Sequence, residues 1–212
     1  MKYSHVFWDW NGTLLDDAHV AFSAVNEMLD RRSLQNITFD QYRDYIDVPI
    51  IKFYERVMDL SLESMEALSV EFHALCAKLT PENPLFIDTV DALSRIADMG
   101  IKQYIFSSSQ NKIIIPMLER CGIDKCFVSV LGSSDCYAAS KIERTQAYLL
   151  ENGISPEDAV FIGDMVHDSE VASAIGSDCI LVPNGHQPEK ALRDTGRIVV
   201  SSLSAVADII QS

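Results

Sequence analysis

The chain has 212 residues, 48% of them hydrophobic and 23% charged, with a formal net charge of −14. Such a composition suits one sizeable core, or a domain carrying an insert, and excludes a disordered chain. The acidity argues against nucleic acid as a bulk partner, because phosphate contacts need clustered Lys and Arg, and no apolar run approaches the roughly 20 residues that span a bilayer.

In chain order, "HVFWD" reads as a buried strand that finishes on a carboxylate, Asp9. An amide follows at Asn11, and Gly12 and Thr13 turn the chain. From about residue 16 to 83 the pattern is helical. Val20, Ala21, Ala24, Val25, Met28 and Leu29 recur at helical spacing. "TFDQ", Thr38 to Gln41, predicts a capping box opening a second helix. Pro49 suits the first turn of a third. "SLESMEALSVEFHALCAKL" predicts one long helix from Ser61 to Leu79, and "TPENP", residues 80–84, a linker.

A different grammar then repeats: a helical pattern ends in Gly and a near-continuously apolar run follows. Gly100, Gly122, Gly153 and Gly176 each stand where a helix C-terminus wants a left-handed residue. Strands alternating with helices predict a parallel sheet with right-handed crossovers. The expected fold class is α/β: a Rossmann-like parallel-sheet core of residues 1–15 and 84–212, with an all-helical module of residues 16–83 inserted after the first strand.

The five cysteines, Cys76, Cys121, Cys126, Cys136 and Cys179, form no Cys-x-x-Cys pair and are odd in number. They read as reduced thiols, mostly small core residues, and predict a cytoplasmic protein. "MKYSHVFWDW" lacks the pattern of a secretory leader.

In open parallel sheets ligands bind beyond the C-terminal strand ends. The polar residues expected there are Asp9 and Asn11, then Ser107, Ser108 and Ser109 after "IKQYIF", then Asp164 and Asp168 after "AVFIG", with Lys141 opening the helix "KIERTQAYLL". Each alone has an ordinary reading as a cap, a turn or a solvated residue. Together they suit phosphoryl transfer. Asp9 is the candidate nucleophile. Asp9 and Asp164, with Asp168 directly or through water, offer the hard oxygens Mg2+ takes. Ser107 and the N–H groups near Ser108 suit phosphate oxygens, and Lys141 offsets the charge.

These residues resemble the motifs of the haloacid dehalogenase superfamily: "DWNGTL" from Asp9, "YIFSSS" with Ser107, Lys141 at a helix start, and "GDMVHD" from Gly163 to Asp168. All four occur in order and span nearly the whole chain. The helical insert resembles the C1-type cap of phosphoglycolate phosphatase-like members. The resemblance implies Asp9 as nucleophile, Mg2+ held by Asp9, the Asn11 carbonyl, Asp164 and Asp168, phosphate held by Gly12, Ser107, Ser108 and Lys141, and a cap that closes over substrate. Arg43, Lys52 and Arg56 are candidate cap contacts. The implied function is a Mg2+-dependent phosphatase of a small phosphorylated metabolite working through an aspartyl-phosphate, as a monomer or homodimer, with no nucleic acid or membrane partner.

One residue departs from the pattern. The family's second Asp, its general acid and base, is here Asn11, and an amide does not titrate. Two alternatives follow: a catalytically impaired phosphate-binding protein, and a phosphonate hydrolase using Lys52 to form an imine. A receiver domain is set aside, because it carries its acid pair before the phosphorylated Asp.

Overall fold

The computed structural model describes residues 2–82, 84–133 and 141–212. The first strand, β1 (His5–Trp8), leads into four helices: α1 (Ala18–Arg31), α2 (Phe39–Tyr45), α3 (Ile51–Val57) and α4 (Met65–Leu79). The chain then alternates: α5 (Thr89–Asp98), β2 (Lys102–Gln110), α6 (Asn111–Cys121), β3 (Ser129–Ser133), α7 (Lys141–Glu151), β4 (Ala159–Gly163), α8 (Val166–Ile175), β5 (Asp178–Leu181), α9 (Glu189–Asp194), β6 (Ile198–Val199) and α10 (Leu203–Gln211). The strands form one parallel sheet in the order β3-β2-β1-β4-β5-β6.

Period-two alternation explains why these strands read as continuously apolar. Val6 and Trp8 pack on one face against Leu93, Ile96, Ile114, Val206 and Ile210 from α5, α6 and α10. Phe7 points the other way, into Leu149, Val171, Ala172 and Leu192 from α7, α8 and α9. Buried polar groups on the sheet are paired: Trp8 Nε1 donates to Gln103 Oε1 at 3.0 Å, and Gln103 Nε2 donates to the Leu93 carbonyl at 2.9 Å. Gly122 and Gly176 end α6 and α8 at φ 69° and 86°, the left-handed conformation expected of them.

Helices α1 to α4 enclose an apolar cluster of their own around Met28, Leu29, Tyr42, Phe53 and Leu68. The capping box at Thr38 forms in both directions: Gln41 N–H donates to Thr38 Oγ1 at 3.1 Å, and Thr38 N–H donates to Gln41 Oε1 at 2.8 Å. Two local expectations need correction. Pro49 precedes α3 instead of lying in its first turn, and Ile50 is the cap. The long helix expected from Ser61 is broken: a short turn, Leu60–Leu62, ends at Glu63, and α4 starts only at Met65. Side chains decide this, since Asp59 Oδ1 accepts from Ser61 N–H and Ser64 Oγ from Ala67 N–H. Both offer the backbone a cap in place of continuation.

The chain leaves the sheet and returns to it at one place. Asp16 N–H donates to the Pro84 carbonyl at 2.8 Å, and Phe86 N–H to the Leu14 carbonyl at 3.2 Å. Leu15 and Leu85 form an isolated antiparallel bridge. The two connections therefore lie side by side, beneath the helical cluster.

Candidate active site

In this order β2 and β3 lie on one side of β1 and β4 to β6 on the other. Beyond the C-terminal ends of β1 and β4 the crossovers diverge and leave a crevice. Asp9 directly follows β1, Asp164 directly follows β4, Ser107 lies on β2, Lys141 is the first residue of α7, and Asp168 is in the first turn of α8.

Oxygens of Asp9, Asp164 and Asp168 lie within 4.8 Å of one another, and all three residues are buried. Lys141 Nζ donates to Asp9 Oδ1 and to Asp168 Oδ1, each at 2.7 Å, and lies 3.9 Å from the centre of the Phe106 ring. Asp168 Oδ2 accepts the N–H groups of Asp164 and Met165 at 3.1 and 3.0 Å, so it also braces the turn between β4 and α8. Asp164 accepts from Thr13 Oγ1 at 3.1 Å and from His186 N–H at 2.6 Å.

This arrangement is short of positive charge. Burial, with Asp168 and Asp164 nearby, pushes the Asp9 carboxyl up to about 8 although Lys141 opposes it. Burial likewise raises Asp164 to about 6. Burial would lower Lys141, but Asp168 and Asp9 outweigh it and hold the ammonium charged. The three buried carboxyl groups form an all-oxygen donor set of the kind a hard divalent cation neutralises, so the residues present fit a metal.

Around this centre the backbone must come close. A Cβ on Gly12, at φ 72°, would overlap the Asp164 carboxylate, and one on Gly163 would overlap that of Asp168. Ser107 is buried and its Oγ accepts from Ser109 N–H at 3.1 Å, while Ser108 is exposed beside it. Asn11 is clamped. Its Nδ2 donates to Asp17 Oδ2 at 2.7 Å, and its Oδ1 accepts from Ser109 Oγ at 2.6 Å.

A match to the family model for haloacid dehalogenase-like hydrolases runs over residues 6–182. The chain belongs to that hydrolase family. It is 23% identical over 92% of its length to phosphoglycolate phosphatase 1 of Pseudomonas aeruginosa, covering 75% of that protein. It is 27% identical over 87% of its length to phosphoglycolate phosphatase of Caulobacter vibrioides, covering 81% of it. Its fold matches a predicted phosphatase from Clostridium acetobutylicum with a TM-score of 0.81, at 22% identity, over 100% of this chain and 99% of that one.

His186 also enters the site, although none of the motifs above marks it. Its ring meets Tyr42 Oη through Nδ1 at 2.8 Å and Asp17 Oδ1 through Nε2 at 3.2 Å. Burial works against its charge, but Asp17, then Asp164 and Asp9, push it up to about 9. It follows β5 in "LVPNGH", so the strand-end rule applied to that strand would have found it. The candidate cap contacts do not reach the crevice. Arg43 donates to the carbonyls of Pro183, at 2.9 Å, and Gln187. Lys52 pairs with Asp47 at 3.2 Å, and Arg56 lies over the Tyr45 ring. The described cysteines are held protonated, with burial pushing Cys76 up to about 12. Cys136 lies outside the described residues.

Proposed function

We propose that this hydrolase is a Mg2+-dependent phosphatase of a small phosphorylated metabolite, like the phosphoglycolate phosphatases it resembles. The observation that carries the reading is the buried meeting of Asp9, Asp164, Asp168 and Lys141 at the switch point of the sheet. An Asp9 carboxylate oxygen attacks phosphorus, the ester oxygen leaves with its electron pair, and water then hydrolyses the aspartyl-phosphate to return Asp9 and phosphate. Lys141, Ser107, Ser108 and the Gly12 main chain hold phosphate oxygens. Asp9, Asp164 and the Asn11 carbonyl would hold Mg2+, with Asp168 acting directly or through water. The ion, when bound, supplies charge to the phosphoryl oxygens. Residues 16–83 serve as a cap over a core of 1–15 and 84–212, and closure excludes water. Among the described residues no helix is long and apolar enough to cross a membrane. The acidic chain fits a cytoplasmic protein, a monomer or homodimer, without nucleic acid or membrane partners.

Phosphate release from a broad ester panel, with Mg2+ and with chelator, tests this. Release should require the ion and vanish in Asp9→Asn. Equal release by wild type and Asp9→Asn across the panel would remove the enzyme reading.

The clamped Asn11 amide favours a second reading, phosphate binding without turnover. Tight phosphate binding with no release from any ester would select it. The imine route finds little support, because Lys52 is exposed, pairs with Asp47 and does not line the crevice.

A further inference from the structure

The crevice opens into a cavity of about 390 Å3 between the sheet edge and the helical cluster. Its two ends differ. Asp9, Ser107, Ser108 and Lys141 line the core end, while Trp10, Ile46, Val48, Phe72 and Met117 are among the residues that line the rest. Among the described lining residues Lys141 is the one lysine and there is no arginine. The cap cations already hold other partners: Arg43 main-chain carbonyls, and Lys52 the Asp47 carboxylate at the cavity wall. Three histidines also line the cavity, but His186 is tied to Asp17 and Tyr42, His167 to Glu170, and burial lowers His73, so a second anionic group on a substrate would have to compete for cations already engaged, which is unfavourable. An adjoining cavity of about 190 Å3 shares Tyr42, Ile46, Ile50, Phe72 and His73 with the first, so the apolar space continues into the helical cluster.

The clamped Asn11 bears on the same question from the chemical side. Its amide cannot protonate a departing oxygen. An alkoxide leaving unaided is as poor a leaving group as hydroxide, whereas a phenol ionises near pH 10, like tyrosine. An apolar cavity and an absent acid point to one kind of molecule.

We propose that the substrate is a phosphate monoester of an aromatic hydroxyl, its ring in the apolar cavity and its phosphate on Asp9. This rests on the phosphatase reading. As the bond from Asp9 to phosphorus forms, the aryl oxygen–phosphorus bond breaks. The oxygen leaves with the electron pair as a phenolate, spreads the charge into the ring and takes a proton from solvent. Water then cleaves the aspartyl-phosphate.

The test compares kcat/KM of the Mg2+-loaded chain on 1-naphthyl phosphate, phenyl phosphate, phosphoglycolate and ethyl phosphate. Binding of benzylphosphonate and methylphosphonate, which cannot be hydrolysed, is measured alongside. Aryl esters should exceed the other two by roughly 100-fold or more, the low end of what an acid catalyst supplies. Benzylphosphonate should bind about tenfold tighter than methylphosphonate, as expected for burying an apolar ring. Phosphoglycolate hydrolysed as well as the aryl esters would overturn the aromatic substrate and leave the phosphatase standing. No release from any ester would overturn the phosphatase. In that event equal binding of the two phosphonates would remove the aromatic ligand as well, and tighter benzylphosphonate binding would retain it.

Discussion

At the scale of single residues, Asn11 and Gly185 carry the clearest expectations. In Asn11→Asp a carboxylate would face Asp17 where the amide now donates at 2.7 Å. Two carboxyls so placed share a proton, and one pKa rises well above the usual range. The protonated member then supplies the missing acid. Turnover of alkyl esters should rise by at least about tenfold, a modest part of the 10²–10⁴ available to general acids, and should fall as the shared proton is lost at higher pH. A pH–rate profile checks this, and an unchanged alkyl rate at every pH would show that Asn11 does not limit departure. Gly185 meets the site from the loop after β5. A Cβ there would overlap Asp164 Oδ2 and the Gly12 carbonyl. Gly185→Ala should lower stability by about 1–3 kcal/mol, as overpacking does, and weaken Mg2+ binding because Asp164 must shift. Calorimetry and ion titration would report both.

At the scale of elements, α2 joins the helical cluster to the site. Its N-terminus depends on the reciprocal Thr38–Gln41 bonds, and its Tyr42 hydroxyl meets the His186 ring. Thr38→Ala should cost about 1 kcal/mol, the usual loss for an N-cap, seen as a lower denaturant midpoint with an unchanged slope. Elements also show where patterning misleads. The apolar spacing of "SLESMEALSVEFHALCAKL" does not register that Asp59 and Ser64 each cap a backbone N–H. Those bonds divide the expected helix, because a cap competes locally with helix propagation.

At the scale of the whole molecule, the metal-free protein holds protons on Asp9 and Asp164, at about 8 and about 6, that an unfolded chain would have released near pH 4. Through these two groups the folded state binds more protons than the unfolded one across this window, and their contribution to stability falls as pH rises from about 4 to about 8; His186, held up to about 9, extends that fall. Mg2+ should reverse the loss, because it replaces protons in offsetting the carboxylates. At 100 times its Kd the ion adds about 2.7 kcal/mol. The rise in Tm on adding Mg2+ should be larger at pH 8 than at pH 5. A Tm indifferent to Mg2+ at pH 8 would show that the acidic cluster holds no such ion.

The α/β class, the parallel strands and the places of Asp9, Asp164 and Lys141 at strand ends and a helix start are legible in the residues alone, whereas β2 runs on past Ser107 to Gln110. These follow from local rules: period-two burial, glycine at helix ends, and the requirement that parallel strands be joined by crossovers. Asp9, Ser107, Asp164 and Lys141 were legible for that reason, since the C-terminal edge of such a sheet is where side chains of distant segments meet. What surrounds them is set by tertiary packing. Asp17 and Ser109 clamp Asn11, His186 arrives from the loop after β5, and Arg43 and Lys52 are held by Pro183 and Asp47. The Ser109 and Pro183 contacts join segments 98 and 140 residues apart, and the shorter ones depend on the rotamer a side chain takes against its neighbours; no local pattern of residues encodes either.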